Sequence, residues 1–141
     1  MGKIILKGRG VVPGKVEGKA LVCPEGLEGY GGFDPRTGVI KEYSNVNKGK
    51  SIKDTILVLP GSRGSNGWSC YFGASRAAGS NPKGWLFNRI DSSSGVAAAI
   101  VKVPTIVDFP KGQNPCDFIE NDDYVIMDGD TGIVEIIKKD K

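Results

Sequence analysis

Glycine cuts this chain wherever an apolar run begins to lengthen. The runs in KIILKGRG, VVPGKVEGKALVC, GWLFNRI and GVAAAIV are each a handful of residues long, and a glycine opens or breaks every one. Long helices are not built from such pieces, since a glycine inside a helix costs about 1 kcal/mol relative to alanine. Short strands joined by tight turns are. There are 21 glycines in 141 residues, about twice the roughly 7% share of ordinary proteins. They are interleaved with strand-like segments and not gathered in one tract, which predicts turns and bulges of a strand-dominated fold and not a linker.

The order of segments fills in that picture. Residues 3–23 predict two or three short strands, with Pro13-Gly14 at one turn. Residues 24–32 read as loop, 33–38 as a turn feeding a short strand at Val39-Ile40, and 42–54 as a polar connection. Thr55 to Leu59 is the strongest strand signal. Ser69 to Ala78 is the best helix candidate, closed by Asn81-Pro82. A buried strand is expected over 84–90, a helix or strand over 95–101 and a strand over 104–109. Residues 122–137 alternate on either side of DGDTG and predict a hairpin. The sum is one α/β domain spanning residues 1–141, strand-dominated, with one or two helices.

Several function classes find no support. The net charge of +3 is modest and not drawn into a basic stripe, so nucleic acid is not an expected partner. The terminal lysines (Lys138, Lys139, Lys141) read as a solvated tail. Cys23, Cys70 and Cys116 are far apart and odd in number, which does not suit a secreted disulfide framework, and all three read as structural. No apolar run approaches the roughly 20 residues that span a bilayer, and the first residues do not form a signal peptide, so the expectation is a cytoplasmic protein without membrane contact. Asp122, Asp123, Asp128 and Asp130 lack the glutamate of a calcium loop and read as solvated hairpin carboxylates. Trp68 and Trp85 are expected in the core or at an interface.

The chain contains no histidine. General base, metal ligand and phosphoryl carrier are the usual offices of that residue, so any reaction here proceeds without one or borrows it. That weighs on the segment with the most chemical potential, TILVLPGSRGSNGWS, where an apolar strand stops at Pro60 and delivers Gly61, Ser62, Arg63, Gly64 and Ser65. Glycine amides and a permanently charged guanidinium suit an anion. An ordinary turn, with Ser65 or Asn66 capping the next helix, accounts for the same residues. The spacing is not a phosphate-binding P-loop. Nor is it a hydrolase elbow, because Pro60 stands where glycine is required and no histidine can activate Ser62.

Longer motifs add to this. GRGVVPGKVEGKALV and DDYVIMDGDTGIVEI resemble the swivelling β/β/α domain of phosphoenolpyruvate-utilising enzymes, which work through a histidine that this chain lacks. GRGVVPGKVEGKALV, YGGFDPRTGVI, KGKSIKDTILVLPGSRGS and VPTIVD, in that order, resemble the swivel domain or small subunit of the aconitase X family. That resemblance implies a single swivelling β/β/α domain, similar to aconitase domain 4 and to phosphohistidine domains, serving as one subunit of a hydro-lyase. It implies a large-subunit partner that carries an iron–sulfur cluster, with no cofactor held by this chain, and a small hydroxy-acid substrate. The family's substrates include 5-phosphomevalonate and cis-3-hydroxy-L-proline. A non-catalytic binding or regulatory domain of the same fold is the competing expectation. By the same resemblance Ser62 is the base that removes a proton beside the substrate carboxylate, with Ser65 next in line. Arg63, Gly64 and Ser65 then bind substrate and stabilise the serine alkoxide. The chain departs from the family pattern over residues 66–95, a stretch expected to bear on substrate choice.

Overall fold

A computed structural model describes residues 3–29, 31–63 and 67–139. Three strands open the chain, β1 (Lys3–Lys7), β2 (Arg9–Val12) and β3 (Lys15–Val22), as expected for residues 3–23. They are followed by β4 (Ile56–Leu59), α1 (Trp68–Ala78), β5 (Gly84–Phe87), α2 (Ser92–Val101) and β6 (Thr105–Val107). A single turn, α3 (Pro115–Phe118), and the hairpin β7 (Tyr124–Asp128) and β8 (Ile133–Ile137) complete it.

The strands run in the order β1-β8-β7-β3-β4-β5-β6-β2. β3 joins two halves of different character. Lys15 to Lys19 pair antiparallel with β7, while Ala20 to Val22 pair parallel with β4. β4, β5 and β6 continue in parallel, and β2 adds antiparallel to β6. Every residue of β4, β5 and β6 is buried, as expected of parallel strands covered on both faces. Alternate residues serve different layers. Leu57, Leu59, Trp85 and Phe87 pack with Trp68 and Phe72 of α1 and Ala97 and Val101 of α2. Ile56, Val58, Leu86 and Ile106 pack with Val125, Met127, Val134 and Ile136 of the antiparallel half. The result is the expected β/β/α layering.

β1 and β2 are consecutive in the chain yet occupy opposite edges, so the sheet curls until backbones meet. The Gly8 N–H reaches the Gly132 carbonyl at 2.9 Å, and the Gly129 N–H reaches that of Gly14 at 2.7 Å. A Cβ on Gly10 would lie 1.9 Å from the Gly129 carbonyl oxygen. Glycine in DGDTG thus serves closure of the sheet as well as the hairpin turn.

Several local details are sharper than, or differ from, the linear reading. The 95–101 segment is the helix of its two alternatives, and its first turn begins earlier, at Ser92, because Asp91 caps it. α1 ends at Gly79, in the left-handed region at φ 78, before Asn81-Pro82 is reached. Gly67 is its N-cap without a side-chain bond; Ser65 and Asn66, the expected caps, lie outside the described residues. Cys70 is exposed, so a packing role does not hold for it, while Cys23 is buried. Neither Asp123 nor the terminal lysines are simply solvated. Asp123 is fully buried and pairs with Lys138; its Oδ1 also accepts from the Lys139 N–H at 3.0 Å. Lys138 further bonds the Phe118 carbonyl, and Lys139 that of Asn121. Lys141 lies outside the described residues.

Burial pushes the Asp123 carboxyl up, but the Lys138 ammonium and the Glu120 and Lys139 amides outweigh it and hold it below its ordinary value. A group depressed in this way stabilises the fold above its unfolded pKa and loses that contribution as pH falls through the folded one. Asp123→Asn is therefore expected to cost about 1–3 kcal/mol at pH 7, since it removes the nearest anionic partner of a half-buried ammonium and leaves it the Phe118 carbonyl and the more distant Glu120 carboxylate. Urea titrations should show the gap from wild type closing as pH is lowered below the ordinary carboxylate range. A gap that is constant with pH would contradict the pairing.

Candidate active site

The parallel strands β4, β5 and β6 are neighbours, so the loops leaving their C-terminal ends lie side by side, the usual place for a site in a parallel sheet. Backbone bonds lace these loops together. Asn88 and Arg89 donate to the carbonyls of Leu59 and Pro60 at 3.1 and 3.0 Å, and Phe109 donates to Asn88 at 3.2 Å. The Ile90 N–H bonds Asp108 Oδ1 at 3.0 Å, and Arg9 holds Oδ2 of the same carboxylate at 2.6 Å. Ser62 stands three residues past the end of β4, on this laced edge.

Its hydroxyl faces a carboxylate. Ser62 Oγ is 2.8 Å from both Oδ1 and Oδ2 of Asp91, and the Ser62 N–H donates to Oδ2 at 3.2 Å. Asp91 is fixed in turn as the N-cap of α2. Its Oδ1 accepts the Ser94 N–H at 2.9 Å, while the Ser94 hydroxyl takes the Asp91 N–H at 2.9 Å, which closes a capping box. What desolvation Asp91 feels pushes its carboxyl up. The Ser94 amide, the Ser62 and Ser94 hydroxyls and the Ser62 amide outweigh that and hold it low. It is therefore ionised at neutral pH, with the Ser62 hydroxyl as donor.

Arg63 is placed differently from the expectation. Its Nη1 lies 3.4 Å from Oε1 of Glu42, whose side chain is nearly buried, and its stem rests on Gly26. No bond links the guanidinium to Ser62 Oγ. Arg63 instead borders an open cleft with Cys23, Glu42, Asn45 and Val46. The structure thus brings Ser62 together with Asp91 and turns Arg63 toward a neighbouring cleft. Gly64 and Ser65 lie outside the described residues.

Cys23 is buried, Cys116 is partly buried and Cys70 is exposed. Burial pushes the Cys23 thiol up, and burial, then Asp117 and Cys23, push Cys116 up to about 12, so both are protonated at neutral pH. Among the described residues no group of three or more His, Cys, Asp or Glu side chains could hold a metal ion.

Asp91 is the residue that sequence reasoning passed over. The signal was present: Asp-x-x-Ser before the apolar run VAAAIV has the spacing of a capping box. It falls in the divergent 66–95 stretch, which also supplies α1, β5 and Trp68.

Comparison with known proteins bears on this edge. A family model described as the aconitase X swivel domain matches residues 5–136. The phosphomevalonate dehydratase small subunit of Pyrococcus furiosus is 33% identical over 134 residues, 94% of this chain and 95% of that one. Its counterpart from Methanocella arvoryzae is 31% identical over 131 residues, 93% of this chain and 98% of the other. Among solved structures, that of Thermococcus kodakaraensis aconitase X in its holo-form superposes with a TM-score of 0.86 at 30% identity, covering 96% of this chain and 99% of that one.

Proposed function

Because the chain belongs to the aconitase X swivel-domain family, we propose that it is the small subunit of a heteromeric dehydratase that removes water from (R)-5-phosphomevalonate, in the archaeal-type mevalonate route to isoprenoids. One observation carries this reading: the chain aligns over more than nine-tenths of both lengths with proteins named phosphomevalonate dehydratase small subunits. A domain that pairs with a large subunit has reason to expose half an active site, and the laced loop edge carrying Ser62 suits that office.

In this reading Ser62 takes the proton beside the substrate carboxylate. Arg63, with a half-exposed guanidinium over the open cleft, binds an anionic group of the substrate. Gly64 and Ser65, which lie outside the described residues, are assigned to substrate binding, and Ser65 is the second candidate for the base. The large subunit holds the iron–sulfur cluster, which supplies Lewis-acid assistance to the departing hydroxyl. This chain contributes neither a thiolate nor a histidine to that group. Among the described residues no helix is long and apolar enough to cross a membrane. We assign the enzyme to the cytoplasm, where a phosphorylated substrate is retained.

Arg63→Lys is expected to raise KM for the phosphorylated substrate about tenfold, the loss of one charge-assisted fork replaced by a point charge. An unchanged KM in steady-state assays would remove Arg63 from the substrate site.

Reconstitution tests the function itself. The chain alone should turn over nothing, and the chain with its large subunit should dehydrate (R)-5-phosphomevalonate. Turnover of cis-3-hydroxy-L-proline or another hydroxy acid in its place would reassign the substrate. A fully loaded pair inert toward all of them would favour a binding or regulatory role.

A further inference from the structure

The Ser62–Asp91 contact carries more than a cap requires. A helix N-cap needs one oxygen to accept from the third residue of the helix, and Asp91 Oδ1 does that for Ser94. The second oxygen is aimed at Ser62, whose amide and hydroxyl both reach it. The expected picture of Ser62 as a free alkoxide steadied by Arg63 conflicts with this arrangement. An alkoxide 2.8 Å from an ionised carboxylate is a like-charge pair held at contact distance, which disfavours loss of the Ser62 proton to solvent. Arg63 does not offset it, being bonded to Glu42. The other charged groups on the packed loops are Arg89 after β5 and Asp108 after β6, the latter paired with Arg9, and none of them bonds Asp91. So long as Asp91 is ionised, Ser62 keeps its proton.

We propose that Asp91 is the positioning residue that receives the Ser62 proton, so that Ser62 relays the substrate proton without ever standing as a free alkoxide. This rests on the reading of Ser62 as the group that meets the substrate C–H. As the C–H bond breaks, its proton passes to Ser62 Oγ, and the proton already on Ser62 passes to an Asp91 oxygen. The electron pair left on carbon forms the double bond as the hydroxyl departs. The proton on Asp91 and the expelled hydroxide together make up the released water. Asp91 is exposed in this chain by itself. A subunit laid over the loop edge would strip its water and strengthen it as a base.

The test uses the reconstituted pair with Asp91→Asn and Asp91→Ser, since both replacements are good N-caps but poor proton acceptors. Expected for each is a kcat lower by about 100-fold, the low end for a lost acid–base group. KM, thermal midpoint and affinity for the large subunit should stay near wild type, and Asp91→Glu should recover part of kcat. A purely structural role predicts wild-type kcat in both variants, because the cap survives in each. Wild-type kcat in either folded variant, or a loss confined to KM or to subunit affinity, overturns the relay. Ser62→Ala runs alongside. If it is inactive while the Asp91 variants are not, the relay fails and the reading of Ser62 stands; if it is fully active, that reading has failed first.

Discussion

Trp68→Ala should cost about 3–5 kcal/mol of folding stability, the range for deleting a buried aromatic side chain. Trp68 is completely buried in the first turn of α1. Its ring lies 4.5 Å from that of Phe72 and 6.1 Å from those of Trp85 and Phe87, which ties the helix to the centre of β5. Its indole N–H donates to the Leu27 carbonyl at 2.8 Å and so pins the 24–32 connection as well. Set against a total of about 5–15 kcal/mol for a domain of ordinary stability, that is a large fraction. Trp68→Phe separates the two contributions. It keeps most of the packing but strands a buried carbonyl, and should cost about 1–3 kcal/mol. Urea unfolding followed by circular dichroism checks both. An alanine variant within about 1 kcal/mol of wild type would contradict the packing described. Trp68 also ends the loop that begins at Pro60, so a folded alanine variant should lose activity beyond what its unfolded fraction explains.

Most of the fold was legible in local pattern, and the reasons differ from element to element. The parallel strands were readable because ILVL, GWLF and TIV are uninterrupted apolar runs with turn residues on either side. The final hairpin was readable because apolar and polar residues alternate around DGDTG. α3 escaped because one turn of PCDF has no periodicity to detect. The burial of Asp123 escaped because its partner, Lys138, becomes adjacent only when β8 returns alongside β7. Within the site, Ser62 could be picked from its position after a buried strand ending in Pro-Gly. Asp91 could be read only as a helix cap, since nothing in a linear chain says that residues 29 positions apart share a hydrogen bond; its contact with Ser62 is made by the pairing of β4 with β5. The same holds for Arg63. Its charge was plain, but its partner Glu42 sits in the polar connection, which has little regular structure to predict.

Ser62→Ala is the second substitution with a large expected effect, and the central claim stands on it. Removing the hydroxyl leaves the substrate C–H with no group to receive its proton. It also leaves the Asp91 carboxylate without its hydroxyl donor from this loop. Loss of a positioned acid–base group lowers turnover by roughly 10²–10⁴. The fold should be little affected: the Ser62 N–H bond to Asp91 survives the change, and so does the capping box. Substrate affinity should survive too, since Arg63 and the cleft beside it are untouched. The decisive measurement is kcat for (R)-5-phosphomevalonate dehydration by the large subunit reconstituted in parallel with wild-type and Ser62→Ala small subunit, at matched cluster content and saturating small subunit. A fall of at least about 100-fold in kcat with KM unchanged is the predicted result. Equal turnover by the two complexes would contradict the assignment of Ser62 as the group that meets the substrate proton.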